Sequence, residues 1–171
     1  CEKIESCQRH IREINNNLKR YVTRGKPYRK QVISAILPVP LSLVDYVKRM
    51  RKIHKGNAVR EVKKADKKEY YCEVFHMKNH VEDLVEINHS KEIRQGRKMT
   101  KSYQKDIKDY GGFPFDIQPV ESPECSLHFS QWIGVFKPME GHKQGMLLVG
   151  KKLVGYINLI RHGEIILYGS I

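Results

Sequence analysis

Long hydrophobic runs are missing from this chain, and so is an opening segment of the secretory kind. No apolar stretch approaches the roughly 20 residues a membrane-spanning helix needs, and no apolar core followed by a small-residue cleavage site opens the sequence. No membrane role or secretory route is expected. Cysteine is sparse: Cys1, Cys7, Cys72 and Cys125 lack the regular spacing of a disulfide framework, which fits a reducing, cytoplasmic compartment. Cys1, Cys7 and His10 supply three zinc-type donors, but C-x5-C-x2-H is not a standard spacing and no adjacent pair completes it. No metal site is expected. A Walker loop, a dinucleotide G-x-G-x-x-G and a serine nucleophile elbow are all absent, which removes the usual support for a kinase or a hydrolase.

Acidic residues are scarce in the front of the chain. Residues 1–60 carry 15 Lys and Arg against 4 Asp and Glu, residues 61–110 carry 12 against 10, and residues 111–171 carry 5 against 5. The net charge of +13 therefore belongs to the front, where a concentrated positive field attracts polyanions. Nucleic acid is the expected partner, and a solvated face kept for solubility is the alternative. With 40% hydrophobic and 30% charged residues the composition is that of a folded protein. Its 171 residues suffice for one well-cored domain with a small helical extension. The sequence opens on Cys1 and stops at Gly169-Ser170-Ile171 inside an expected strand, so it reads as a fragment cut at both ends.

Ile4, Cys7, Ile11, Ile14, Leu18 and Tyr21 recur three or four residues apart and form one stripe of a helix over 2–22. The stripe packs against the rest of the chain or against a second copy, which would make a homo-oligomer. Gly25-Lys26-Pro27 ends this element, and Pro38-Val39-Pro40 interrupts the apolar stretch Val32 to Leu37. Ser42 with Asp45 three positions on has the form of a helix N-cap, predicting a helix over 42–55 with Val44, Val47 and Met50 inward and Gly56 as its stop. Lys48, Arg49, Arg51, Lys52 and Lys55 crowd its last turns. They suit the helix dipole and also suit a phosphate backbone.

Residues 69–75 read as a strand. A helix over 78–90 follows, with Val81, Leu84, Val85 and Ile87 or Asn88 inward and Glu82, Asp83 and Glu86 outward or toward its start. His76 and His80 have the spacing of helical metal ligands but no accompanying acidic pattern, and are expected as core or surface residues. Arg94-Gln95-Gly96-Arg97 is a loop whose two guanidinium groups could hold a phosphate or carboxylate. Residues 131–136, 146–149, 152–160 and 164–168 then read as successive strands of an antiparallel meander. The expected class is α+β, with a mostly antiparallel sheet from 69–75 and 131–171. The basic front, 1–60, is expected as an extension of a domain over 61–171 that is truncated at its C-terminus.

The hairpin Leu148-Val149-Gly150-Lys151-Lys152-Leu153-Val154-Gly155-Tyr156, followed by Glu164 to Tyr168, resembles the central hairpins of the GNAT superfamily of N-acyltransferases. The order strand, helix, loop, strands upstream is similar as well, so the resemblance covers about residues 69–171. It implies an acyl-CoA-dependent N-acyltransferase using acetyl-CoA or another acyl-CoA, with the thioester beside Ile166, Leu167 and Tyr168. Glu164 would be one candidate general base, with a water-relayed carboxylate as the alternative, Tyr168 a second catalytic group, and Arg94, Gln95, Arg97 and Trp132 the acceptor side. Trp132, the one tryptophan, is otherwise a core residue. The pyrophosphate loop of that family would follow Tyr168, where the sequence ends. The rival reading is a non-catalytic nucleic-acid-binding or assembly module in which the sheet is scaffold.

Overall fold

The computed structural model describes residues 5, 7–9, 11–12, 22–23, 26–27, 40–94, 96–163 and 165–168. Most of the expected 2–22 helix, with Gln95 and Glu164, lies outside these residues. Within that helix, residues 5, 7–9 and 11–12 are helical, and Cys7 is fully buried. At its expected end Val22 is not helical: strand β1 (Val22–Thr23) pairs with β2 (Lys26–Pro27).

Ser42 caps helix α1 (Leu43–Lys52) as its spacing with Asp45 predicts. The Ser42 hydroxyl accepts from the Asp45 amide at 3.1 Å and donates to the Asp45 carboxylate at 2.7 Å. The inward face expected for α1 is not buried, and Val44 stays 62% exposed. Gly56 does not stop the helical region either. Its φ of 70° ends the 3-10 turn Ile53–Gly56 and starts a second helix, α2 (Asn57–Asp66), at once. A side chain there would be strained twice over, since its Cβ would also lie 3.2 Å from the Arg51 carbonyl oxygen.

The main sheet has four strands in the order β10-β9-β6-β3, every neighbouring pair antiparallel. They are β3 (Tyr71–Val74), β6 (His128–Pro138), β9 (Lys151–His162) and β10 (Ile165–Tyr168). The fold is thus α+β. Besides β1–β2, two further small ladders stand apart: β4 (Ile93–Arg94) with β5 (Arg97–Lys98), and β7 (Lys143–Gln144) with β8 (Leu147–Leu148). The 146–149 segment therefore belongs to this second hairpin rather than to the sheet meander.

Helix α3 (Val81–His89), entered through the 3-10 turn Met77–His80, lies on the sheet. Its buried Leu84 joins Phe75, Phe136 and Leu153 in the core, with Met77, Ile87, Tyr110, Trp132 and Tyr156 packed around them. Phe75 and Phe136 meet edge to face at 5.6 Å, and the His80 ring sits 4.9 Å from Phe136, so His80 is a core histidine. The register of β6 on β9 shifts between Val135 and Phe136. Beside this bulge, a Cβ on Gly134 would fall 2.4 Å from the Phe136 ring and 2.6 Å from Leu153. Only glycine lets both residues fill the core there.

Candidate functional site

Strand β10 is the outermost strand of the sheet, and its register decides which of its amides face outward. Gly163 donates to the Leu127 carbonyl at 2.7 Å, which sets odd-numbered residues of β9 to bond toward β6. His162 and Ile160 then bond toward β10, where their partners are Ile165 and Leu167. The N–H groups of Ile166 and Tyr168 consequently point away from β9, to an edge that no described strand covers. Ile166 is 52% exposed. Of the three residues expected beside a thioester, Ile166 and Tyr168 present an outward donor and Leu167 does not.

The residues expected on the acceptor side divide. Arg94 and Arg97 are cross-strand partners in the β4–β5 hairpin, closed by Gly96 at φ 74°, so this segment is a tight turn rather than an open loop. Trp132 sits in the middle of β6, its ring 5.6 Å from that of Tyr156 at the edge of the core. The Tyr156 hydroxyl donates to Asn88 at 2.7 Å, and Asn88 donates to the Tyr110 hydroxyl at 3.2 Å. This chain fixes Trp132's neighbours. Lys48, Arg49, Arg51, Lys52 and Lys55 are all exposed on the α1–α2 hairpin, where Arg60, Lys63, Lys64, Lys67 and Lys68 extend the same positive field.

A buried polar cluster that spacing does not reveal joins α3 to the sheet. The Asp83 carboxylate, 2% exposed, accepts from the Leu153 amide at 2.9 Å, from His142 Nε2 at 3.0 Å and from His80 Nδ1 at 3.3 Å. A carboxylate can only accept, so both imidazole nitrogens carry the hydrogen. Burial pushes this carboxyl up, but the bonds from His80, Leu153 and His142 together outweigh it and hold Asp83 below its ordinary value. The Gln144 carbonyl accepts from the Glu82 and Asp83 amides at 2.7 and 3.3 Å, capping α3 from strand β7. Asp83, expected outward or toward the helix start, is thus turned inward, where the Leu153 amide of β9 and the imidazoles of His80 and His142 meet it.

At the opposite edge of the sheet from β10, a cleft of about 350 Å³ opens beside β3, lined by Glu73, His76, Asn79, Gln118, Val149 and Lys151. Asn79 and the Gln118 backbone exchange two hydrogen bonds of 2.8 Å, which fix its wall. Glu73 and Lys151 form an ion pair across it, and His76 Nδ1 is buried with no partner. A third feature lies at the start of β6. Cys7, Cys125 and His128 bring their donor atoms within 4.8 Å of one another. Hydrogen bonds from His128, from the Leu127 amide and from Cys7 hold the Cys125 thiol down at about 6.

Comparison of the chain with known protein families, with curated proteins and with solved structures finds no match to any of them.

Proposed function

We propose that the chain is an acyltransferase-like domain of the GNAT type whose acceptor is nucleic acid or a group carried on it. One observation supports this above the others: β10 ends the described sheet with the Ile166 and Tyr168 amides unclaimed by the ladder. An acyl-CoA thioester laid along that edge would have its carbonyl polarised by a fixed backbone donor, which stabilises the oxyanion that develops as an amine attacks. Glu164 would take the amine proton directly or through water.

The geometry supplies its own test. Proline is tolerated in an edge strand where the missing N–H faces outward and is disruptive where the N–H serves the ladder. Ile166→Pro should therefore leave the fold intact while weakening acetyl-CoA binding, measured by calorimetry on protein carried past Ile171. Leu167→Pro should unfold the edge. If the folded wild-type protein evolves no heat with acetyl-CoA and transfers no acetyl group, the acyltransferase reading is lost.

A second reading is favoured by the α1–α2 hairpin, whose two helices carry no buried residue and project a run of exposed cations. In it the helices bind nucleic acid and the sheet is scaffold. Affinity for DNA or RNA that ignores changes in β10, with no acyl transfer, would select this reading.

A further inference from the structure

We propose that Cys7, Cys125 and His128 form a site for a zinc-type divalent ion that staples the N-terminal helical segment to the start of β6. The three residues come from two places 118 positions apart in the chain, yet their donor atoms lie within 4.8 Å of one another. Among the described residues no other such trio of potential ligands is found.

The donor set selects the metal. Two thiols and an imidazole suit zinc, whereas magnesium and calcium take oxygen ligands. Metal–ligand lengths of about 2.3 Å to sulfur and about 2.0 Å to nitrogen place tetrahedral ligand atoms roughly 3.4–3.8 Å apart. Cys125 Sγ and His128 Nδ1 are already 3.7 Å apart. They are presented by one tight segment, C-x2-H, that leads into β6, of which His128 is the first residue. Cys7 meets them from the helical stripe and is 0% exposed, while Cys125 is 7% exposed. Such a pocket keeps competing water away from the sulfur ligands.

Zinc takes four ligands, and three are in place here. Cys1 and His10, six residues before and three after Cys7, carry the right donor types for the fourth but lie outside the described residues; a water molecule is the other occupant. The site borders the turn that begins β10, since the Leu127 carbonyl between the two β6-side ligands receives the Gly163 amide at 2.7 Å. Metal loading would thus brace the same end of the sheet without depending on what β10 binds.

The test is metal titration of the full chain, reduced and metal-free at the outset. Cobalt should bind at one equivalent with the visible bands of a tetrahedral site and a thiolate charge-transfer band, and zinc should displace it. Cys125→Ser and His128→Gln should each weaken binding at least tenfold, while Cys72→Ser, at an exposed cysteine outside the cluster, should leave it unchanged. Comparing Cys1→Ser with His10→Gln identifies the fourth ligand, and an unchanged affinity in both assigns it to water. Should a variant fail to fold, the wild-type cobalt spectrum alone decides, because it reports sulfur ligation directly. A folded, reduced protein that takes up no cobalt or zinc, or a cobalt complex without sulfur charge transfer, overturns the proposal.

Discussion

Asp83 shows how much one side chain can hold together. Its carboxylate is the point where α3, the β7–β8 hairpin and β9 meet, through His142 and the Leu153 amide. Asp83→Ala leaves these donors facing an apolar gap, and each buried donor left unpaired costs about 1–3 kcal/mol. Urea denaturation should show a loss of at least about 2 kcal/mol, with Asp83→Asn losing less because the amide oxygen can still accept from Leu153. The pH dependence has a definite sign. The folded carboxyl titrates below its unfolded counterpart, so its contribution is complete above the ordinary value near 3.8 and drains away as pH falls through the lower folded value. Wild-type stability should therefore fall more steeply than that of Asp83→Asn below about pH 4. Equal slopes would mean that Asp83 is not held ionised by its partners.

At the scale of elements, the bulge in β6 gives the sharpest prediction. Gly134→Ala would drive a methyl into Phe136 and Leu153, both fully buried, and overpacking of this kind costs about 1–3 kcal/mol. Thermal unfolding should report a lowered Tm, partly restored by Leu153→Val, which makes room for the methyl. A wild-type Tm in Gly134→Ala would show that the two core side chains can move aside. The strands around this bulge were legible because alternation, Gly150 and Gly163 mark where they begin and end. The bulge itself was not, since it depends on which residue of β9 lies opposite Val135. Helix α2 was missed for a local reason: its residues are almost wholly exposed, so no buried stripe marks it, and Gly56 joins it to α1 without a loop. Gln144 capping α3 from 62 residues away, and Cys7 meeting Cys125, are tertiary events that no spacing within a segment encodes. A thioester beside Ile166, Leu167 and Tyr168 was expected only through resemblance, and both the edge position of β10 and the alternation of its amides needed the sheet order and register.

For the whole molecule, the decisive property is the division of charge between a basic front, residues 1–60, and a near-neutral remainder that holds the main sheet. If Lys48, Arg49, Arg51, Lys52 and Lys55 face phosphates, each contact releases condensed counterions, and log affinity falls with log salt by about 0.7–0.9 per phosphate neutralised. Binding of this kind is indifferent to base sequence, because phosphate contacts fix position and carry no identity. Arg49→Gln with Lys52→Gln should weaken duplexes and single strands of any sequence alike and flatten the salt slope by roughly one to two units. Both residues are exposed, so the Tm should hardly move. Fluorescence anisotropy across a salt series separates the outcomes: a slope and an affinity left where they were would make the front a solvated face, and the acceptor of any acyl transfer would then have to be sought away from nucleic acid.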